Sequence, residues 1–247
     1  MTGTALIIGA SSGIGAALAG VLVGEGFDVA LVARRKDKLD EVSQRCNEIA
    51  GRAAARTYVH DVRNHDEVAV LFERIVQDLG GLDTFVYAAG VLPDIGPDEY
   101  DADKDRLILD VNLMGAVAWL DAVAVKFKTQ RFGTICGISS IAGDRGRRAY
   151  PAYHAAKAGF DTFLESLRNR LHPFKVSVVT IRPGFIDTAM TQGKEGLFWV
   201  ISAERAARII AKHIRKRHGI RYVPARWMGV ALIIRNIPSF IFRRMDI

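Results

Sequence analysis

Short apolar runs alternate with longer segments of helical periodicity along the whole chain. The apolar runs predict seven strands, at 4–8, 29–33, 56–60, 84–88, 133–138, 175–181 and 220–223. The segments between them predict helices at about 12–23, 37–50, 65–79, 100–128, 151–172 and 202–217. Strands too apolar to have a solvated face, separated by helices, indicate a parallel sheet that is covered on both sides.

Right-handed crossovers between such strands give a doubly wound fold, because each helix then packs back onto the sheet. We therefore predict an α/β protein with a mostly parallel seven-stranded sheet and helices on both faces. No repeat, low-complexity stretch or Pro/Gly-rich linker divides the 247 residues, which predicts a single domain over 1–247. Within it we expect a substrate lid at 186–205 and an apolar, basic C-terminal tail at 225–247.

Composition is that of an ordinary soluble globular protein, with 49% hydrophobic and 25% charged residues. The two cysteines, Cys46 and Cys136, have no metal or disulfide spacing, so we expect reduced thiols and no metal site. The opening apolar run is too short for a secretory signal, and we expect a cytoplasmic protein. The net charge of +7 is unevenly placed: residues 202–247 hold eleven Lys and Arg against two acids, a charge of +9, and the other 201 residues carry −2. No aromatic residues interleave with these basic positions, which disfavours nucleic acid as a partner.

A glycine loop follows the first predicted strand and leads directly into a helix. Glycines in this context allow a tight turn, a close approach of the backbone to a pyrophosphate, and close packing of helix on strand. The free N–H groups and the dipole of the helix N-terminus favour anions. A plain strand–helix turn is the alternative. We predict that the loop binds a dinucleotide through Gly9, Ser11, Ser12, Gly13, Ile14 and Gly15.

Tyr153 and Lys157 lie four residues apart in a predicted helix and therefore project from one face. A phenol has an ordinary pKa near ~10 and exchanges protons poorly at neutral pH unless that value is lowered. An ammonium nearby can stabilise the phenolate. The spacing alone also fits a solvated lysine beside a half-buried tyrosine, so other residues must decide between the two interpretations.

The spacing Gly-x-x-x-Gly-x-Gly, followed by Tyr-x-x-x-Lys, resembles the short-chain dehydrogenase/reductase family, over residues 4 to about 190. Further family marks stand in the expected order: Asp61-Val62, Ala88-Ala89-Gly90, Asn112, Ser139-Ser140 and Pro183-Gly184. The resemblance implies a Rossmann fold and hydride transfer with a nicotinamide cofactor. Two departures are present. Ile8 replaces a usual Thr, and Tyr87-Ala88 replaces a usual Asn-Asn. In the family these polar side chains connect the glycine loop to strand four, so we expect hydrophobic contacts to replace that connection here.

The resemblance also implies the catalytic roles. In the family the catalytic Ser precedes the proton-donating Tyr by thirteen residues, which assigns Ser140 and Tyr153. Lys157 is expected to lower the Tyr153 pKa and bind the nicotinamide ribose, and Asn112 to hold a water that relays protons to Lys157. Tyr150 is excluded because His154, not a lysine, stands four residues later.

The end of strand two predicts which nicotinamide is bound. Ala33 stands where an acid would meet a free ribose hydroxyl, and Arg34-Arg35 follows. A guanidinium fork suits a phosphate, so NADP(H) is preferred. NAD(H) stays open because Ser12 is neutral where many NADP enzymes carry a base. By resemblance, the remaining cofactor contacts are Asp61 and Val62 at the adenine, Ala89 and Gly90, and Pro183, Gly184, Ile186 and Thr188 at the carboxamide.

The substrate is predicted more coarsely. Segments at 139–147, 167–171, 182–188 and 237–244 are similar to reductases of a decaprenylphosphoryl 2-keto-pentofuranose, which implies a small-molecule or lipid-linked carbonyl. A 3-oxoacyl thioester reductase and a non-catalytic NADP(H)-sensing scaffold are the alternatives. The intact Ser140, Tyr153 and Lys157 argue against the scaffold, which would not need them.

The sequence of the tail fits more than one partner. Residues 227–234 are uncharged, far short of the ~20 needed to span a bilayer, and Arg226 and Arg235 flank them. An apolar face with basic edges fits peripheral contact with an anionic membrane, at the inner face for a cytoplasmic protein. Packing over the substrate pocket or against another subunit fits as well. The resemblance implies a homodimer or homotetramer built through the helices at 100–128 and 151–172.

Overall fold

The computed structural model describes residues 3–96, 98–193, 196–217 and 219–245 and confirms the predicted fold class. Seven strands form one sheet: β1 Thr4–Ile8, β2 Asp28–Ala33, β3 Ala55–Val59, β4 Thr84–Tyr87, β5 Thr134–Ile138, β6 Ser177–Pro183 and β9 Ile220–Val223. Two short strands, β7 Ile186–Asp187 and β8 Ile201–Ser202, lie outside it. The order in the large sheet is β3-β2-β1-β4-β5-β6-β9, and every pairing in it is parallel.

Helices cover both faces of this sheet and bury its apolar side chains in two separate clusters. The helices are α1 Gly13–Gly24, α2 Lys36–Ala50, α3 Val68–Leu79, α4 Ala102–Leu109, α5 Gly115–Gln130, α6 Pro151–Leu171, α7 Ala203–Arg215, α8 Trp227–Asn236 and α9 Ser239–Phe242. Helices α1, α2 and α7 pack on one face, and α3, α5 and α6 on the other. Helices α8 and α9 make up most of the predicted tail.

The prediction of one continuous α-helix at 100–128 is wrong. A π-helical turn, Asp110–Met114, separates α4 from α5. Such widened turns occur mostly as single insertions in α-helices, often at functional sites. The segment Ala102–Gln130 is long and apolar enough to cross a membrane by length and composition. However, Trp119, Leu120 and Phe127 are completely buried in the core, which accounts for its apolar character.

Apart from shifts of one to three residues at several strand and helix ends, two other features differ from the prediction. Strand β6 starts two residues late, because the 3₁₀ turn His172–Phe174 and the left-handed backbone of Lys175 occupy the preceding positions. A second, two-stranded parallel sheet joins β7 Ile186–Asp187 to β8 Ile201–Ser202 inside the predicted lid. Each of these strands has two residues, too few to give a periodic pattern. Residues 194 and 195 of the lid and 246 and 247 of the tail lie outside the described residues.

The strand order reverses between β1 and β4, whose carboxyl ends lie side by side. Ligands of open parallel sheets bind in the crevice at such a switch point. The glycine loop leaves β1 and the segment Ala88–Gly90 leaves β4 at this edge. The fold therefore brings the predicted nucleotide loop to the end of the sheet where a ligand would bind.

Candidate active site

The glycine loop lies against the segment that follows β4. Gly9 has a left-handed backbone, with φ of 87°, and a Cβ there would stand 2.4 Å from the Ala89 nitrogen. A Cβ on Gly15 would stand 2.3 Å from the Gly9 carbonyl oxygen. Neither position can hold a side chain without moving backbone. The two glycines therefore pack strand, loop and helix together closely, as the sequence predicts.

The N-terminus of α1 opens toward the same crevice with its backbone donors uncapped. Ser12 is the N-cap residue, but no described side chain, its own included, caps the helix, and the first turn contains no acid. The Ser12 hydroxyl instead accepts a hydrogen bond of 2.8 Å from Arg35, which also donates to Ser11 at 3.0 Å. Unpaired N–H groups at a helix N-terminus form a site for an anion, and a pyrophosphate fits this arrangement.

The predicted arginine pair divides into two roles. Arg35 holds the two serines of the loop, whereas Arg34 is half exposed and lies 3.9 Å from a carboxylate oxygen of Asp61. Asp61 binds Arg63 more closely, at 2.6 Å, and the Arg63 hydrogen bonds hold the pKa of this carboxyl below its usual range. The Asp61 carboxylate is therefore ionised and forms ion pairs with Arg34 and Arg63 beside the crevice.

Ser140 and Tyr153 meet at the end of β5. Ser140 caps the 3₁₀ turn Ile141–Asp144, where its Oγ accepts the Ala142 N–H at 3.0 Å, and it shares a side-chain hydrogen bond with the Tyr153 phenol. The buried His154 ring donates from Nδ1 to the Ala142 carbonyl at 2.7 Å. Helix α6 and the turn are thus tied together, which fixes the two hydroxyl groups relative to each other.

Lys157 lies one turn after Tyr153 and is almost completely buried, at 4% exposure. Its Nζ donates to the Ile138 carbonyl at 3.2 Å and stands 5.7 Å from the centre of the Tyr153 ring. Burial lowers the pKa of Lys157 to about 8, and the charge of Asp161, one turn further, opposes this change. The amine therefore titrates close to neutral pH.

The prediction that Lys157 lowers the pKa of Tyr153 is wrong for this structure, in which that pKa is raised. Burial raises the pKa of this phenol, and the hydrogen bond with Ser140 offsets part of that rise. The Lys157 amine lies over the ring, at 5.7 Å from its centre, and donates to a backbone carbonyl. Desolvation therefore outweighs the stabilisation of the phenolate.

Asn112 sits in the π-helical turn and is completely buried behind Gly90 and Val91. The Val91 N–H donates to its Oδ1 at 2.8 Å, and its Nδ2 donates to the Val91 carbonyl at 2.9 Å. The Tyr87 hydroxyl donates to the Val111 carbonyl in the same turn at 2.6 Å. Tyr87, one of the departures from the family pattern, therefore ties β4 to the π-turn by a polar bond of its own.

A cavity of about 600 Å³ at this edge brings most of the predicted residues together. Tyr153, Lys157 and Ser140 line one part of it and the glycine loop another. Gly15, Asp61 and Asn112 do not line it, because Gly15 packs beneath Gly9, Asp61 faces the arginines, and Asn112 lies behind Gly90. The predicted residues that line it are Gly9, Ser11, Ser12, Gly13, Ile14, Arg34, Arg35, Val62, Ala89, Gly90, Ser140, Tyr153, Lys157, Pro183, Gly184, Ile186 and Thr188.

The sequence interpretation missed an apolar part of the lining. These residues follow or precede predicted positions closely in the sequence, or lie in α4. They belong to no motif. They are Leu92, Pro93, Leu107, Val111 and Met190. His60 also lines the cavity and was not predicted, and its position directly before Asp61 is the signal that could have found it. Ser139, which is part of a family mark but was given no role in the site, lines the cavity too.

The predicted lid at 186–205 begins at this cavity and continues into an aromatic cluster. Thr188 lines the cavity and lies against the glycine loop, since a Cβ on Gly13 would stand 3.2 Å from its methyl group. Beside the cavity, four pairs of aromatic rings pack edge to face with centres 5.2–5.8 Å apart, and a fifth pair, Phe198 and Trp227, is tilted by 33° at 5.0 Å. This cluster joins the lid to α8 through Phe185, Phe198, Trp199 and Trp227.

Comparisons with known proteins agree with this geometry. The sequence profile of the short chain dehydrogenase family matches residues 3–196. An uncharacterized oxidoreductase of Mycobacterium tuberculosis is 31% identical over 240 residues, which cover 97% of this chain and 96% of the relative. One from Staphylococcus saprophyticus is 32% identical over 187 residues, or 76% of this chain and 80% of the relative. The structure of a short-chain type dehydrogenase/reductase from Mycobacterium ulcerans superposes with a TM-score of 0.82 at 28% identity, covering 90% of this chain and 88% of that one.

Proposed function

The chain belongs to the short-chain dehydrogenase family, and on this premise we propose that it interconverts a ketone and its secondary alcohol with Tyr153 as the acid and base. Family membership makes it an NAD(P)-dependent oxidoreductase that acts on CH–OH and C=O groups. The observation that carries the proposal is the position of Ser140, Tyr153 and Lys157 in the cavity that the glycine loop also lines.

The residues at the switch point fit a nicotinamide dinucleotide. The uncapped start of α1 and the side-chain-free surface at Gly9 would hold the pyrophosphate. Arg34 and Arg35 would hold a ribose 2′-phosphate, which supports NADP(H) over NAD(H). Lys157 would bind the nicotinamide ribose, and the segment from Pro183 to Thr188 the carboxamide. When bound, this group supplies or accepts the hydride.

The hydroxyl groups of Ser140 and Tyr153 determine what the protein itself contributes to the reaction. Ser140 and Tyr153 both donate to the carbonyl oxygen and so fix its position. Tyr153 gives its proton to this oxygen as the alkoxide develops, and takes a proton back in the reverse direction. Because the pKa of Lys157 is about 8, its ammonium can compensate the phenolate and return a proton to it near neutral pH. Asn112 would support this return through a water near Lys157.

The apolar lining supports a substrate with a hydrophobic body. Leu92, Pro93, Leu107, Val111 and Met190 share the cavity with the three catalytic side chains. Pockets of this kind use their few polar groups for orientation and their apolar walls for affinity. A polyprenyl-phosphate keto-sugar or another lipidic carbonyl fits this combination, and we propose that class as the substrate.

The tail supports peripheral contact with an anionic membrane. Five apolar side chains of α8 and α9 are exposed by 45–67%: Met228, Leu232, Ile233, Phe240 and Ile241. Arg226, Arg235, Arg243 and Arg244 lie in the same segment. Apolar side chains with basic neighbours suit the interface of an anionic bilayer, here the inner face of the cytoplasmic membrane.

Exposed apolar side chains also support self-association. Val125 on α5 and Met114 in the π-turn are exposed by 68% and 46%, on the helical segments for which the family resemblance implies subunit contacts. We propose a homodimer or homotetramer through these helices. Light scattering of the purified chain tests this, and a monomer at micromolar concentration would contradict it.

A panel of carbonyl compounds tests the proposed function. The chain is mixed with NADPH or NADH and with soluble ketones, detergent-dispersed lipidic ketones or 3-oxoacyl thioesters, and the loss of reduced nicotinamide is followed. We expect turnover of the lipidic ketones, faster with NADPH. Preferred turnover of the thioesters would favour the alternative reductase, and binding of NADPH without turnover of any carbonyl would favour the non-catalytic scaffold.

A further inference from the structure

A second cavity, of about 580 Å³, lies between the loop at 145–148 and residues 239–245 of the tail. Both of its walls carry guanidinium groups. We call it the arginine pocket, after its residues Arg145, Arg147, Arg148, Arg243 and Arg244. It lies outside the cavity that holds the catalytic residues, and the proposed reaction makes no use of it.

Arg145 builds the pocket by holding its two walls together. Its guanidinium donates to the carbonyl oxygens of Ile234, at 2.6 Å, and Ile237, and its Cζ stacks 3.9 Å from the centre of the Phe242 ring. The carbonyls at the end of a helix have no intrahelical donors, so a guanidinium is a suitable partner for them. These partners are uncharged, and the positive charge of Arg145 therefore remains at the pocket wall.

Arg147 has a hydrogen-bond donor with no acceptor. Its Nε is buried and has no partner among the described residues. Burial lowers the pKa of Arg147, while the charge of Asp144 opposes that change. Asp144 forms no ion pair with Arg147 within 4.0 Å: its Oδ1 accepts from Arg182 at 2.9 Å and from Tyr222 at 2.8 Å, and its Oδ2 is buried with no hydrogen-bond partner among the described residues. A buried cationic donor without an acceptor is costly, and an anion in the pocket would satisfy it.

The remaining charges do not neutralise the pocket. Arg148 lies 3.8 Å from Asp98, an ion pair that is largely solvent-exposed. Within the described ranges, no acidic side chain lies within 4.0 Å of a basic nitrogen of Arg145, Arg147, Arg243 or Arg244. Several guanidinium forks around one space match the several oxygens of a phosphate, to which they bind bidentately.

We propose that the arginine pocket binds a phosphate group, carried either by a soluble phosphate ester or by a phospholipid headgroup. Phe242 and Met245 also line the pocket and provide apolar contact for the organic part of such a ligand. The loop at 145–148 starts five residues after Ser140 and ends five residues before Tyr153. Five residues of chain span at most about 18 Å, so the bound phosphate would lie near the active site.

The test compares two double variants that remove equal charge. Arg147→Gln with Arg243→Gln alters the pocket, and Arg208→Gln with Lys212→Gln alters the exposed face of α7, elsewhere on the surface. Inorganic pyrophosphate is titrated calorimetrically into each chain in the presence of saturating NADPH, so that the glycine loop, which also fits a pyrophosphate, is occupied. Vesicles of phosphatidylglycerol with phosphatidylcholine, and of phosphatidylcholine alone, are tested by sedimentation. Arg147→Lys keeps the charge but loses the fork, and therefore provides a milder change.

We expect the pocket variant to weaken binding of one of the two anionic probes by about tenfold or more, with Arg147→Lys intermediate and the α7 variant close to the native chain. Loss of pyrophosphate binding identifies a soluble ester as the source. Loss confined to the anionic vesicles, and shared in part by Arg147→Lys, identifies a lipid headgroup, because Arg147 lies outside the tail. If Arg147→Lys binds the vesicles as the native chain does, the loss belongs to the charge of the tail and the pocket is not a headgroup site. Equal weakening by both double variants would show diffuse charge attraction and overturn the proposal, as would the absence of binding to either probe.

Discussion

The Nζ atom of Lys157 lies 3.2 Å from the carbonyl oxygen of Ile138, the last residue of β5. This bond draws the amine into the protein interior, where burial lowers its pKa to about 8. Both protonation states are therefore accessible at the pH at which such a site would work. A lysine left in solvent would remain fully charged there and could not return protons as readily.

The buried lysine should make stability depend on pH. In the unfolded chain this amine has an ordinary pKa of 10.5, above its folded value of about 8. Between these values the unfolded state binds a proton that the folded state does not, so the native chain gains stability as pH rises. Lys157→Met lacks the amine and should not share this gain. The free energy of unfolding of the variant minus that of the native chain should therefore fall by about 1–3 kcal/mol between pH 7 and pH 10. Urea denaturation across this range measures the difference, and a constant value would contradict the burial of a charged amine.

Removing the phenol hydroxyl should stop the reaction while leaving the cofactor bound. In Tyr153→Phe the carbonyl oxygen keeps Ser140 but loses its proton donor, which predicts a fall in kcat of about 10²–10⁴-fold. Fluorescence titration with NADPH should give a Kd close to the native value. Tyr150→Phe is the matched control, because it removes a phenol hydroxyl three residues away and should retain most activity. Similar losses in both variants would show that the assignment of Tyr153 is wrong.

The parts that could be predicted from the sequence are those with fixed local spacing. The glycine loop and the Tyr153–Lys157 pair depend on neighbours within one turn or loop, and the structure brings both to one cavity. The π-turn was not predictable, because the apolar periodicity of α4 and α5 runs through it without interruption. The arginine pocket was not predictable either, since Arg145 meets carbonyls about 90 residues away. No local pattern encodes such a contact.

The two arginines after β2 should affect cofactor choice differently. Arg34 lies 3.9 Å from Asp61 and, among the described residues, makes no hydrogen bond to the glycine loop, so Arg34→Gln should raise the KM for NADPH by about tenfold and leave that for NADH nearly unchanged. Arg35 holds Ser11 and Ser12, so Arg35→Gln should raise both values. Initial rates with each cofactor give the comparison. An equal effect of Arg34→Gln on the two cofactors would argue against a 2′-phosphate at this position.

The hydroxyl of Tyr87 should contribute to stability through one buried bond. It donates to the Val111 carbonyl at 2.6 Å, and burial raises the pKa of Tyr87, so it remains a neutral donor. Tyr87→Phe leaves this carbonyl without that partner and should lower the free energy of unfolding by about 1–3 kcal/mol. Tyr58→Phe is the control, since its hydroxyl binds the half-exposed Asp78 and should matter less. Chemical denaturation of both variants tests this, and equal losses would count against a special role for the β4–π-turn bond.

The exposed face of α8 should determine membrane binding if the tail contacts a bilayer. Leu232 and Ile233 are exposed by 55% and 67%, and burial of each in an apolar phase is worth about 1.5–3 kcal/mol. Leu232→Gln with Ile233→Gln should therefore weaken binding to phosphatidylglycerol vesicles by about tenfold or more, with no change in charge. Val59→Gln with Val70→Gln removes comparable exposed apolar groups from β3 and α3 and should leave binding unchanged. If the α8 variant sediments with vesicles as the native chain does, these side chains face another subunit or solvent instead of lipid.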